Sequence, residues 1–179
     1  GKNMENNTFI VKANRTPVGS FGGSLAEFTS PQLGAEVIKN IINDNQIDSN
    51  KIDEVIMGNV LSAGIGQAPA RQASIFSGLK DNVEALTINK MCGSGLKAIM
   101  LGDQAIQSRG ANYIIAGGME SMTNAPYLIK KNLSKLGNAK MIDSLIYDGL
   151  WDAYNNLHMG SCAEMLVKDR KYTREEQDQ

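Results

Sequence analysis

Cysteine and histidine are scarce in this chain, charge of neither sign is in excess, and long apolar runs are missing. Two cysteines, Cys92 and Cys162, are too few to build a disulfide framework across 179 residues, so a reducing compartment is the simpler reading. With 18 Lys+Arg against 19 Asp+Glu there is no basic excess for phosphate contacts, which argues against nucleic-acid binding. No apolar stretch approaches the ~20 residues that cross a bilayer. No charged-then-apolar opening marks a signal peptide. Gly1-Lys2-Asn3 ahead of Met4 reads as vector-derived, and the polar stretch 5–7 as mobile. The expectation is a cytoplasmic protein without membrane contact, the mitochondrial matrix being the alternative.

What is present fits a globular chain, with 42% hydrophobic and 21% charged residues. The length holds one domain with a sizeable core, or one domain and part of another. The 18 glycines cluster at 19–23, 64–66, 93–95 and 117–118, as at tight turns or close backbone approaches.

Thr8-Phe9-Ile10-Val11 reads as a strand, and Arg15 to Gly23 as a loop. A helix follows from Pro31, with Leu33, Val37, Ile38, Ile41 and Ile42 at the three- and four-residue spacings of one buried face. A strand at 54–57, a turn at 64–66 and a helix at 68–76 carrying Ala70, Ala73 and Phe76 come next. Then come a strand at 85–89 and a helix at 92–107 with Leu96, Ile99, Met100 and Ile106 on one face. The strand at 113–116 is nearly all apolar, as if buried on both faces. This alternation predicts a layered α/β domain with mainly parallel pairing over residues 8–118.

Residues 119–179 have weak periodicity and many Asn and Lys, the texture of a long functional loop region, with one helix at 162–171. Thr173-Arg174-Glu175-Glu176 is a capping box that announces a further helix. Only one turn remains before Gln179, too little to stand alone, so the sequence reads as ending inside an element of something longer.

Cys92 carries the strongest chemical signal. It follows a predicted strand and opens a predicted helix in Asn89-Lys90-Met91-Cys92-Gly93-Ser94-Gly95, where the positive end of the helix dipole favours a thiolate. Gly93 and Gly95 remove side chains that would block a substrate. Position alone leaves two readings open, an activated nucleophile and a buried structural thiol. Ser94 is a poor hydrolase nucleophile, because Cys92 occupies the place of the glycine that motif needs. His158, as a lone histidine, is on general grounds structural or superficial. The turn Gly64-Ile65-Gly66-Gln67-Ala68-Pro69, with Glu84 downstream, is a weak dinucleotide-binding match, its third Gly replaced by Pro69. Met119 and Met122 read as core or interface filler.

Asn89 to Ala98 resembles the acyl-accepting cysteine motif of the thiolase family. The resemblance continues through Asn14 to Gly23, Met57-Gly58-Asn59-Val60 and Gly66 to Gln72. It runs on through Gly117 to Met122, Asn124 to Tyr127, Asp148 to Ala153, His158-Met159-Gly160 and Arg174 to Asp178. These blocks span the chain from about residue 8 to its end. The resemblance implies a thiolase-like N-terminal α/β domain with a mixed, mainly parallel sheet at 8–118. Residues 119–179 would then be part of a loop domain that covers coenzyme A.

The implied activity is acetyl-CoA C-acetyl transfer: condensation of two acetyl-CoA to acetoacetyl-CoA, and the reverse thiolysis. Coenzyme A thioesters are then substrates, with no covalently bound cofactor and no metal. In the family the cysteine matching Cys92 attacks the thioester carbonyl and holds the acyl group, while backbone N–H groups stabilise the oxyanion. Leu150, His158 and Met159 match residues that line the coenzyme A site, and a histidine there resembles the acetoacetyl-CoA type rather than the long-chain 3-ketoacyl type. Cys162 is then a structural thiol. Acetyl-CoA, acetoacetyl-CoA and CoA are the implied partners, and the implied assembly is a homodimer or homotetramer.

The family's further motifs, Asn-Glu-Ala-Phe, Gly-His-Pro and Cys-Ile-Gly-Gly-Gly, supply the histidine base, the second cysteine and a water held by asparagine. None occurs in residues 1–179, so this chain is expected to be an incomplete and inactive portion. Two other readings compete: a nucleotide-binding α/β module built on the Gly64 turn, and a non-catalytic remnant that only binds coenzyme A.

Overall fold

A computed structural model describes residues 7–44, 46–108, 110–131 and 136–179. Residues 1–3 and all but Asn7 of the polar stretch 5–7, the subjects of two sequence expectations, lie outside them. The chain divides into two compact units, Gly1–Ala125 and Pro126–Gln179.

The strand expected at 8–11 does not form. Phe9, Ile10 and Val11 have the composition of a strand, yet they stand about three-quarters exposed, at 75%, 78% and 76%. A strand exists only through the ladder of a neighbour, and no sheet among the described residues takes a strand from this segment. Lys12 and Asp44 pair at 2.6 Å, and Asn14 bonds Asn40 at 2.5 Å, which ties the segment that follows to the first helix and its end.

That helix, α1 (Ser30–Ile42), starts where the sequence places it. Thr29 and Gln32 form a reciprocal capping box, and Pro31 sits in the first turn. Its fully buried residues are Ser30, Pro31, Gly34, Ala35 and Ile38; of the larger set expected, Ile42 packs part-buried against the core, while Leu33, Val37 and Ile41 are only partly buried. Gly34 decides this, because a Cβ there would come 2.7 Å from the sulfur of Met119. The helix rolls its smallest residue onto the core.

Strand β1 (Glu54–Gly58) follows, then α2 (Pro69–Phe76), β2 (Glu84–Ile88), α3 (Ser94–Gln107) and β3 (Ile114–Gly118). The strands pair in the order β2-β1-β3, all parallel, with Ile56 in register with Leu86 and Ala116. This is the mainly parallel α/β layering expected. The strand buried on both faces is the central β1, not the edge strand β3. Val55 and Met57 point to the cluster with Ile38, Ala70, Ala73 and Ile115. Gly58, two residues on from Ile56 and one on from Met57, takes the opposite face and meets α3.

α3 begins at Ser94, two residues after Cys92, and its buried residues are Ser94, Ala98 and Gly102. Leu96, Ile99 and Met100, expected inside, are exposed, as is Phe76 of α2. The reason is again close approach: a Cβ on Gly102 would meet Ile114 at 3.2 Å, so a stripe of small residues lets α3 lie low on the sheet.

The second unit is built from short pieces. β4 (Tyr127–Leu128) pairs antiparallel with β5 (Ile142–Asp143), and buried Ser144 donates to the carbonyl of Pro126 at 2.6 Å. A six-residue π-type turn, Leu145–Leu150, leads into β6 (Trp151–Asp152), which pairs antiparallel with β7 (Leu157–His158). α4 (Met159–Arg170) starts three residues earlier than expected, because His158 acts as its cap. α5 (Arg174–Gln177) shows the reciprocal Thr173–Glu176 capping box read from the sequence. No helix among the described residues is long and apolar enough to cross a membrane.

Candidate active site

The three parallel strands end together, and at their carboxyl ends lies the turn that carries Cys92. Open α/β sheets bind ligands at this edge. Cys92 is a free, exposed thiol, which removes the buried-structural reading. It stands just ahead of α3, whose N-cap residue Gly93 supplies no side-chain cap, so no protein side chain competes for the positive helix end.

The turn itself is strained and braced. Met91 sits at φ +50°, in the left-handed region that costs a non-glycine residue of order 1–3 kcal/mol. Asn89 Oδ1 accepts from the Met91 N–H at 2.9 Å. Ser94 Oγ accepts from the Lys90 N–H at 2.8 Å and donates to the Met91 carbonyl at 2.6 Å. At a net ~0.5–1.5 kcal/mol per hydrogen bond, these side-chain contacts are of the size needed to offset the strain. With its hydroxyl spent on the Lys90 N–H and the Met91 carbonyl and the residue buried, Ser94 is no nucleophile.

Glycines set how close α3 comes to the sheet. A Cβ on Gly58 would lie 2.6 Å from Ser94 Cβ and 2.7 Å from the Ser94 carbonyl carbon. A Cβ on Gly118 would lie 3.3 Å from Gly95 Cα. The start of α3 therefore rests on bare backbone of β1 and β3.

Two neighbours of this edge carry no role in the sequence reading. Glu120 is half-buried and takes three N–H donors: Asn59 Nδ2 at 2.9 Å, Val60 at 2.9 Å and Leu61 at 3.1 Å. Burial pushes its carboxyl up, against the downward pull of the Val60 and Leu61 N–H groups. Asn59 is buried, and its Nδ2 also reaches Ser30 Oγ at 3.3 Å and the Met119 carbonyl at 3.2 Å. The pair clamps the segment after β1 to the segment after β3. A carboxylate directly behind the Gly117-Gly118 strand end was the available signal, and nothing in its spacing points to Asn59. Met119 is buried core filler and Met122 is exposed.

The Gly64 turn does not make a phosphate cradle. Gln72 Nε2 donates to the carbonyls of Ile65 at 3.2 Å and Gln67 at 2.8 Å, and a Cβ on Gly66 would touch that nitrogen at 3.1 Å. The turn is filled by its own glutamine and presents carbonyls inward, where a phosphate needs N–H groups. Glu84 opens β2 at the amino end of the sheet, away from the turn, in register with Glu54, whose carboxyl is pushed up first by burial and then by Glu84. The nucleotide-binding alternative loses its site.

In the second unit, the other three predicted residues flank the β6–β7 pairing: Leu150 ends the π-type turn before β6, His158 pairs with Trp151, and Met159 opens α4. Asp152 organises the hairpin loop through Asn155 and the N–H groups of Tyr154 and Asn155, which hold its carboxyl below the usual range. His158 Nδ1 accepts from the Gly160 N–H at 3.0 Å as the cap of α4. That bond assigns the lone pair to Nδ1 and leaves the Nε2–H as a free donor. Met159 is half-exposed. Cys162 Sγ donates a long hydrogen bond to Asp152 Oδ2, 4.0 Å away. Among the described residues no cluster of His, Cys, Asp and Glu could hold a metal ion.

Comparison with known proteins gives a consistent result. The family model described as "Thiolase, N-terminal domain" matches residues 8–179. An acetyl-CoA acetyltransferase of Pseudomonas aeruginosa is 53% identical over 94% of this chain and 44% of its own length. A mitochondrial acetyl-CoA acetyltransferase of Aspergillus fumigatus is 48% identical over 96% of this chain and 40% of its own. The Acat5 thiolase of Ascaris suum, solved in complex with coenzyme A, superposes with a TM-score of 0.85. It is 43% identical and covers 90% of this chain and 42% of that one. The chain thus spans less than half the length of the relatives it matches. An exposed cysteine braced at the head of α3, a parallel sheet of the same fold and a family model that takes in nearly every residue converge on one assignment: the chain belongs to the thiolase family.

Proposed function

We propose that the chain is part of an acetyl-CoA C-acetyltransferase in which Cys92 is the acyl-accepting nucleophile. The observation that carries this reading is the exposed thiol on a braced strand-to-helix turn at the carboxyl edge of the sheet. The Cys92 thiolate attacks the thioester carbonyl of acetyl-CoA, the carbonyl electrons collect on oxygen, and their return expels CoA as thiolate. CoA takes up the proton that Cys92 gave up. The acetyl group on Cys92 is then available to the α-carbanion of a second acetyl-CoA, which yields acetoacetyl-CoA. The base that forms that carbanion, by the family pattern, is a second cysteine, and Cys162 does not fill that place.

Residues 8–118 serve in this reading as the N-terminal α/β domain and 119–179 as part of a loop domain over coenzyme A. Leu150 and Met159 supply apolar contact to the pantetheine arm. His158 supplies the Nε2–H as a donor, a use consistent with its capping bond. The protein acts as a homodimer or homotetramer, in the cytoplasm or the mitochondrial matrix, with acetyl-CoA, acetoacetyl-CoA and CoA as its partners. The deciding experiment incubates the full-length protein with acetyl-CoA and maps the adduct by peptide mass spectrometry. Acetyl on the Cys92 peptide, absent from Cys92→Ala, is the expected result. Acetyl-CoA binding with no acetyl at Cys92 would leave only the binding remnant.

A further inference from the structure

We propose that Ser94 is a positioning residue for Cys92. Its hydroxyl, bonded to the backbone of Lys90 and Met91 across the turn and set against Gly58, fixes the left-handed Met91 and so the direction in which Cys92 presents its sulfur. Three observations carry this. The hydroxyl accepts from the residue two before Cys92 and donates to the residue one before it, closing the turn around the thiol. Met91, at φ +50°, is a non-glycine residue in a conformation that relaxes unless it is held. The bracing side chain is 5% exposed and abuts bare backbone of β1, so the turn is referenced to the sheet rather than to solvent. Asn89 braces the Met91 N–H from the other side but is exposed, and it has no such anchor.

No shorter or bulkier side chain meets these demands. Alanine keeps the volume of the Cβ and loses both hydrogen bonds. Threonine adds a methyl group to a Cβ that already lies close to the Gly58 backbone. A serine two residues after the cysteine therefore has a physical task distinct from nucleophilicity. This inference rests on the thiolase reading of Cys92.

The test compares Ser94→Ala with wild type in the full-length protein. Ser74→Ala is the control, since Ser74 is a fully buried hydroxyl without a hydrogen-bond partner. Iodoacetamide labelling of Cys92 is followed by peptide mass spectrometry at a temperature where circular dichroism finds each variant folded. Labelling in Ser94→Ala is expected to slow about tenfold or more, while Ser74→Ala labels at the wild-type rate. In acetoacetyl-CoA thiolysis, Ser94→Ala lowers kcat and leaves KM near wild type, the pattern of lost orientation rather than lost binding. Labelling of Ser94→Ala at or above the wild-type rate overturns the proposal.

Alkylation needs no coenzyme A substrate. A wild-type protein without thiolysis would therefore sink the thiolase reading and leave the labelling comparison standing. Should Ser94→Ala not fold, amide exchange in the wild type decides. A protected Lys90 N–H supports the brace, and exchange at the rate of an unstructured amide refutes it.

Discussion

Half-buried among three N–H donors, with no cationic partner among the described residues, Glu120 is a residue whose charge state the fold feels directly. Burial raises its carboxyl above the ordinary glutamate range, so the folded chain holds that proton more readily than the unfolded chain does. By linkage, the stability this group contributes is fully present below the ordinary range and is lost as pH rises through the raised value. Urea unfolding across mildly acidic to neutral pH checks this. Wild type should lose stability relative to Glu120→Gln as pH rises, and parallel curves would refute it. At this scale the sequence was uneven. Cys92 was legible as a candidate at a strand-to-helix junction, and it was the resemblance of Asn89 to Ala98 to the thiolase cysteine motif, rather than its position, that favoured a nucleophile over a structural thiol. Ser94 was legible only as a failed nucleophile, since its two hydrogen bonds depend on a left-handed Met91 that composition does not announce. Glu120 and Asn59 were not legible as a pair, because they are joined across 61 residues by a fold the spacing does not encode.

Among the elements, existence and order followed from periodicity, and the buried faces did not. Apolar spacing marks which residues could be buried. The packed face instead goes to whichever stripe lets backbones approach, as Gly34 and Ala35 do in α1 and Ala98 and Gly102 do in α3. The segment at 8–11 failed for a related reason, having strand composition but no neighbour to pair with. This makes a paired prediction on residues 1–179. Ile38→Ala, at a fully buried site, should cost about 2–5 kcal/mol in urea unfolding. Leu96→Ala, equally apolar and equally well spaced but exposed, should change stability by no more than about 0.5 kcal/mol. Equal costs would restore the periodicity argument. In the second unit, α4 opens on His158 because the ring nitrogen supplies a cap, a use of histidine outside the usual Ser, Thr, Asp and Asn signals.

For the molecule as a whole, the chemistry needs more titratable partners than residues 1–179 contain. The chain has one histidine, which caps a helix, and one cysteine besides Cys92, which lies against Asp152. Purified 1–179 should therefore show no acetoacetyl-CoA thiolysis beside a full-length relative, with general acid–base catalysis of ~10²–10⁴-fold per group missing. Turnover within about tenfold of that relative would show that these residues suffice. The bare run Phe9-Ile10-Val11 sets a practical condition on that assay. Three consecutive apolar side chains on extended, unpaired chain, closed off on one side by Lys12, are an adhesive strip that can template pairing between molecules. In colloidal terms, concentrated solutions of 1–179 are expected to scatter light above a threshold load, read as turbidity against protein concentration. A charge at Ile10 will raise that turbidity threshold more than any change of salt at so neutral a surface.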